Sequence, residues 1–402
     1  MLYYIIRPIV RLTFRIFFSK IHLHNMDRIP VDRPVLIASN HPSAFLEACL
    51  LATHFPKSLH FLVRGDIFIN KFVIWLLAQL HLTPIYRFAD GFKNLRANEN
   101  TFSDCYKRLK DKEIIVVYAE GNTTQEKRLR PIQKGLAKIA FGALDIYPDM
   151  DLCIVPLGVN YTHPNDFRSE VFVEVGMPIE LESYFQKYKT ESQKAITELT
   201  QEIELKMKPL VIHINKDEDL PLAEKLWLLA KSIAPESFWP VLDRSGERFA
   251  LDKSISLRIN DMDEKAKTEL QNKILIPLQI PASTGTAIIF IPAMIGKLIN
   301  FLPFTIATQI AKSKVKRIEF FASVLVGSGM FIYILYATVI AILSHAADIP
   351  VVMALGSLVI CGLIYLYRDH LLVKQKLSTI RQLNGEIIKK ITDKGSFDSV
   401  SL

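Results

Sequence analysis

Cysteine is scarce in this chain. Only Cys49, Cys105, Cys153 and Cys361 occur in 402 residues, and their spacing fits neither a metal cluster nor a disulfide framework. A disulfide-stapled scaffold and a structural zinc site are therefore not expected, and the thiols read as reduced, in a reducing compartment. No DNA- or RNA-binding motif appears, and the basic residues lack the interleaved aromatics of a single-strand platform, so no nucleic-acid partner is expected. The net charge of +8 instead suits an anionic membrane surface or phosphorylated substrates. The apolar N-terminus lacks the small-residue cleavage site of a signal peptide.

Apolar residues are plentiful, at 50% of the chain. Residues 1–20 read as an interfacial amphipathic helix, with Arg7, Arg11 and Arg15 in one stripe toward headgroups and phenylalanines toward the acyl boundary. A helix packed on the domain is the alternative. Residues 21–182 alternate short apolar runs with amphipathic ones. Strands are predicted at Pro34–Ala38, His60–Val63, Thr83–Ile85, Glu113–Tyr118, Ile154–Val159 and Val171–Val175. Helices are predicted at Ala44–His54, Asn70–Leu80, Arg96–Lys110 and Gln133–Leu144. This order predicts an α/β domain with a mixed, largely parallel sheet flanked by helices.

Residues 183–280 read as a helical extension. Residues 281–303, broken by Pro292 and Lys297, read as a re-entrant or interfacial segment. Residues 320–367 hold apolar runs of about 24 and about 19 residues, each long enough for a bilayer core of roughly 30 Å. The turn between them, Ser344 to Asp348, has no Lys or Arg, whereas Lys312, Lys314, Lys316 and Arg317 precede the pair and Arg368, Lys374 and Lys376 follow it. The positive-inside rule makes this a transmembrane hairpin with cytoplasmic flanks, including the tail 368–402.

The stretch most suggestive of chemistry is Asn40-His41-Pro42-Ser43-Ala44-Phe45-Leu46-Glu47. A strand would deliver His41 to a turn, and Ser43 would cap a helix carrying Glu47. A carboxylate that meets an imidazole fixes its tautomer and stabilises its charged form, making a general base. Residues six apart do not face each other on one helix, so the pair requires a bend at Pro42-Ser43. A histidine beside a proline can also be a capping or core residue.

Four blocks in order carry a family resemblance: the stretch above, Thr83-Pro84-Ile85-Tyr86-Arg87, Tyr118-Ala119-Glu120-Gly121-Asn122-Thr123, and Ile154-Val155-Pro156-Leu157-Gly158. From about Pro34 to Pro178 the chain resembles the glycerolphosphate and lysophosphatidic acid acyltransferases. Three departures stand out: Glu47 replaces Asp and lies six rather than five positions after His41, Tyr118-Ala119 replaces Phe-Pro, and Gln125 stands at a usual arginine.

The resemblance implies a membrane-bound O-acyltransferase, with the catalytic domain on the cytoplasmic face and acyl-CoA or acyl-carrier protein as co-substrate. The acceptor would be glycerol-3-phosphate or 1-acylglycerol-3-phosphate, and neither metal nor resident cofactor is implied. His41 would be the base and Glu47 its partner. Arg87, with Arg130 or Lys134, would clamp the acceptor phosphate; Glu120 would bind an acceptor hydroxyl; Gly121 would let backbone approach, with oxyanion donors near it. Arg64 would join the substrate site or only brace the sheet. Lys127, Arg128, Arg130, Lys134 and Lys138 could equally form a solvated or headgroup-facing rim. The alternatives are the same fold acting on another lyso-lipid, such as an amino-acid lipid or lysophospholipid, and a non-catalytic membrane adaptor.

Overall fold

The computed structural model describes residues 2–86, 98–234, 237–277 and 283–392. The chain divides into two units. The first holds Met1–Ile212, Leu242–Gly246 and Ile318–Ser323; the second holds His213–Val241, Glu247–Arg317 and Val324–Leu402.

The first unit is built on a mixed sheet of β1 (Lys20–His24), β2 (Val35–Ser39), β3 (Leu59–Arg64), β4 (Leu82–Ile85), β5 (Ile114–Tyr118), β6 (Cys153–Tyr161), β7 (Glu170–Val175), β8 (Ile179–Glu180) and β9 (Leu242–Asp243). The order is β4-β3-β5-β2-β6-β7-β1-β9, with β8 beside β6. All pairs are parallel except β6–β7 and β6–β8. The central strands β2 and β6 are buried along their whole length, which explains why Val, Ile and Leu dominate them without apolar–polar alternation.

The helices of this unit are α1 (Leu2–Phe17), α2 (Leu46–His54), α3 (Lys71–Gln79), α4 (Asn98–Lys110), α5 (Gly135–Ile146), α6 (Glu182–Tyr188) and α7 (Ser192–Met207). Helices α5 and α7 cover one sheet face: Leu136, Ile139, Ala140, Ile196, Leu199 and Ile203 pack against Leu36, Ala38, Ile115 and Ile154. The unit thus runs past residue 182, to Ile212. The apolar stripe of α7 belongs to the sheet's core rather than to a separate extension.

Helix α1 corrects the expectation for its arginines. Arg7 donates to the Phe55 carbonyl, Arg11 Nε donates to the Thr53 carbonyl at 2.6 Å, and the Tyr3 hydroxyl reaches the Ala52 carbonyl at 3.0 Å. These carbonyls lie at the C-terminus of α2, where helical acceptors lack partners and positive charge is favoured. Phe14 and Phe17 are buried, and Tyr4, Ile5, Ile9, Leu12 and Ile16 form the exposed face. The basic stripe faces protein, and the aliphatic side faces outward.

The second unit contains α8 (Leu220–Ile233), α9 (Glu247–Asp261), α10 (Glu264–Lys273), α11 (Thr284–Ile288), α12 (Phe290–Lys314), most of α13 (Phe321–Ala346), α14 (Val351–Leu383) and α15 (Gly385–Thr392). Helices Phe290–Lys314, Ile318–Ala346 and Val351–Leu383 are long and apolar enough to cross a membrane. Pro292 falls in the first turn of α12, where a missing N–H costs no helical bond, whereas Pro303 lies inside the helix and removes one; the helix nevertheless continues to Lys314. It is longer than the segment read from sequence. A Cβ on Gly296 would come within 2.0 Å of the Cys361 carbonyl, so glycine permits α12 and α14 to touch there.

Candidate active site

Strands β2 and β5 are parallel and in register, with Ser39 opposite Tyr118. Residues an equal distance beyond two such strands converge, and His41 and Glu120 each lie two positions past that pair. Glu120 Oε2 accepts the backbone N–H of His41 at 3.0 Å. On the other side Asn40 is clamped to β6: its Nδ2 donates to the Val159 carbonyl at 2.9 Å, and its Oδ1 accepts the Val159 N–H at 2.7 Å. The chain leaves β2 between two fixed neighbours.

The required bend is present and broader than expected. Ser43 does not cap α2; its hydroxyl donates to the Glu319 carbonyl at 3.4 Å, and the residue preceding the helix is Phe45 in a left-handed conformation (φ 64°). That reversal turns the first helical turn back toward the strand end, and His41 Nδ1 is hydrogen-bonded to Glu47 Oε1. The same oxygen accepts the Ser43 N–H at 3.3 Å. Glu47 is wholly buried, whereas His41 keeps 16% side-chain exposure. With Nδ1–H donated to the carboxylate, Nε2 presents its lone pair as a base.

Tyr118 lies flat on His41, with ring centroids 3.9 Å apart and planes 15° apart. Burial, and then the charge of Glu47, hold its phenol well above the usual tyrosine range, so it stays neutral. Glu47 Oε2 and the Tyr118 and Tyr161 hydroxyls are buried without partners among the described residues.

The other expected residues are placed differently. Glu120 is engaged on both oxygens: Oε1 accepts the Arg130 N–H at 2.9 Å, and Oε2 accepts Arg130 Nη2 at 2.7 Å as well as His41 N. Arg130 also donates to Asn122 Oδ1, to Thr124 Oγ1 at 3.1 Å and to the Asn122 carbonyl at 2.5 Å. Together they brace the loop against the histidine. Gly121 has φ +76°, a conformation that favours glycine, and its N–H donates to the Tyr118 carbonyl at 3.1 Å, closing a turn. Lys134 Nζ reaches Thr197 Oγ1 at 3.0 Å. Lys127 Nζ binds the carbonyls of Tyr161 and Thr162, the latter at 2.7 Å, and so serves the fold.

Arg64 forms an exposed two-point pair with Asp66 at 3.0 and 2.5 Å. Ile85 of β4 is opposite Arg64 in β3, and the Tyr86 ring covers Gly65, where a Cβ would meet it at 2.1 Å. Arg87 itself lies outside the described residues.

Sequence reasoning missed Asn40 and Tyr118 as supports of His41, although both stood inside the motif blocks. A family model described as "Acyltransferase" matches residues 20–160, which hold strands β1 to β5, nearly all of β6 and the loops around His41 and Glu120. This segment is an acyltransferase-family domain.

The chain is 40% identical over 76 residues to glycerol-3-phosphate O-acyltransferase 1 of Saccharomyces cerevisiae, covering 19% of this chain and 10% of that protein. It is 33% identical over 107 residues to glycerol-3-phosphate O-acyltransferase 2 of the same yeast, covering 26% and 14%. Against a Bacillus subtilis 1-acyl-sn-glycerol-3-phosphate acyltransferase it is 25% identical over 121 residues, covering 30% and 56%. The chain thus spans about a tenth to a seventh of the yeast relatives and about half of the bacterial one. Among solved structures, the lysophosphatidic acid acyltransferase PlsC of Thermotoga maritima aligns with TM-score 0.35 and 17% identity, over 50% of this chain and 79% of that one.

Proposed function

We propose that the chain is a membrane-bound O-acyltransferase that moves a fatty acyl group from acyl-CoA or acyl-carrier protein to glycerol-3-phosphate or 1-acylglycerol-3-phosphate. The observation that carries this reading is the bond from His41 Nδ1 to the buried Glu47 carboxylate. Nε2 takes the hydroxyl proton as the acceptor oxygen attacks the thioester carbonyl, and Glu47 stabilises the imidazolium. Collapse of the tetrahedral adduct forms the ester, expels the thiolate and returns the proton to sulfur. Positioned base catalysis of this kind is worth about 10²–10⁴-fold. Arg87 binds the acceptor phosphate. Because the Gly121 N–H is already used, the oxyanion must find its donors elsewhere.

A parity argument supports the membrane arrangement. Leu242–Asp243 pairs with β1, and Ile318–Ser323 belongs to the same unit, so both lie on one side of a bilayer. Among the described residues between them only α12 is long and apolar enough to cross, and a single crossing would separate them. Helix α12 therefore does not cross, and is re-entrant or interfacial. Helices α13 and α14 are then the spanning hairpin, and their basic flanks support a cytoplasmic catalytic domain. The exposed aliphatic face of α1 lies against lipid.

One observation favours a second acceptor class. Arg130 is occupied by Glu120, Asn122 and Thr124, which leaves a thinner phosphate clamp than glycerol-3-phosphate calls for and suits another lyso-lipid. The full chain in detergent or nanodiscs, given labelled palmitoyl-CoA with glycerol-3-phosphate, lysophosphatidic acid or lysophospholipid in parallel, decides by mass of product. No transfer to any acceptor, or turnover unchanged by His41→Ala, overturns the enzyme assignment in favour of an adaptor.

A further inference from the structure

The turn that carries His41 is irregular, and its backbone groups find partners far away in sequence. The Ala44 N–H donates to the Glu319 carbonyl at 3.0 Å, and the Ala44 carbonyl accepts the Ser323 hydroxyl. The Ser43 hydroxyl also reaches the Glu319 carbonyl at 3.4 Å. Gln125 Nε2 donates to the Ile318 carbonyl at 3.2 Å, and the Gln125 and Asn165 side-chain amides bond each other at 2.9 and 3.3 Å. Phe320 packs against Phe45, with ring centroids 6.5 Å apart. Phe45 has a positive φ that bulky side chains disfavour, and such a conformation persists only where its surroundings hold it. Here the peptides flanking Ala44 are held on both sides by residues 318–323.

We propose that the first turn of the membrane hairpin is a positioning element of the catalytic turn. The Glu319 carbonyl and the Ser323 hydroxyl hold Ala44, and through it Phe45, so that Glu47 meets His41. Ser323 is then a positioning residue, and the hairpin does more than anchor: it completes the site where the chain enters the membrane. Without this latch the strained turn relaxes and the carboxylate drifts from the imidazole, while membrane binding is untouched. As a statement about turnover, the inference rests on the acyltransferase reading above.

The test uses the full chain in nanodiscs. Ser323→Val removes the hydroxyl while keeping the branched shape of Thr, and Ser323→Thr keeps it. The loss of one hydrogen bond is expected to lower kcat about fivefold to tenfold in Ser323→Val. KM should be unchanged, Ser323→Thr should stay within about twofold, and vesicle flotation should be unaltered. The same loss should appear with a short, water-soluble acyl-CoA, and exchange of the Ala44 amide should accelerate in Ser323→Val. Gln125→Ala, which frees the Ile318 carbonyl, should accelerate that exchange too if Ser323→Val folds poorly. Unchanged kcat and exchange in both variants overturn the latch, and so does a loss confined to KM or to long-chain donors. If the wild-type chain transfers no acyl group, the reaction assignment fails, and the Ala44 exchange still decides the latch.

Discussion

The ring of Tyr118 lies parallel to that of His41 at a centroid distance of 3.9 Å, so the last residue of β5 supports the imidazole at the exit of β2. Such a contact is worth about 0.5–1.5 kcal/mol beyond buried area. Tyr118→Phe keeps the ring and should hold kcat within about twofold. Tyr118→Ala removes it and should lower kcat/KM about twofold to tenfold. Steady-state kinetics on the two variants checks this, and equal values for both would deny the ring a role.

Glu47 is a fully buried carboxylate whose Oε1 takes both the imidazole and the Ser43 N–H. Glu47→Gln keeps the shape but cannot stabilise an imidazolium by charge. Its kcat should fall by about 10²-fold or more, approaching that of His41→Ala. Single-turnover assays with saturating donor check this.

Glu120 and Arg130 form a largely buried ion pair, with side-chain exposures of 3% and 15%. Removing the cation alone strands a buried carboxylate, so Arg130→Ala should cost about 3–5 kcal/mol of stability without substrate. The double variant Arg130→Ala/Glu120→Gln should recover part of the loss. Thermal melts of the substrate-free chain measure this. An unchanged Tm in Arg130→Ala would return that arginine to the substrate clamp.

Acid should destabilise the sheet through His60. Burial, then the Arg108 guanidinium that donates to its Nδ1 at 3.0 Å, push the imidazole down to about 3, while Nε2 faces Glu113 Oε2 at 3.0 Å. The folded value lies below the unfolded one of about 6.5, so the unfolded chain binds the extra proton between them. Stability is therefore lost as pH falls from about 6.5 toward 3. Denaturant melts between pH 7 and pH 4 should show this slope, and it should flatten in His60→Gln.

The Arg11 contact at the end of α2 offers a check on the N-terminal helix. Hydrogen bonds to charged groups contribute about 1.5–3 kcal/mol, so Arg11→Gln should lower stability by about 1–2 kcal/mol, because a neutral amide restores only part of the bond. An unchanged Tm would mean that the stripe is free to face headgroups.

The sequence alone determined the elements with a strong local code. Val35–Ala38 and Ile114–Val117 are apolar at every position because both sheet faces are covered, and a run of that kind is legible without coordinates. His41 and Glu47 were legible because the bend between them is local, marked by Pro42. Strands β1 and β9 were missed: Lys20–His24 alternates with charge, and Leu242–Asp243 is too short to signal before it pairs.

Only the tertiary structure decided what the charged side chains do. Arginines seven and eleven read as a headgroup stripe because a helix projection shows a face and not what covers it; the covering surface is the end of α2. Arg130 read as a phosphate ligand because a free guanidinium is one, and its engagement with Glu120 depends on two loops meeting beyond the strand ends. The link from Ala44 to Ser323 spans 279 positions. Backbone carbonyls carry no sequence signature, so contacts that depend on them emerge only when the chain has folded.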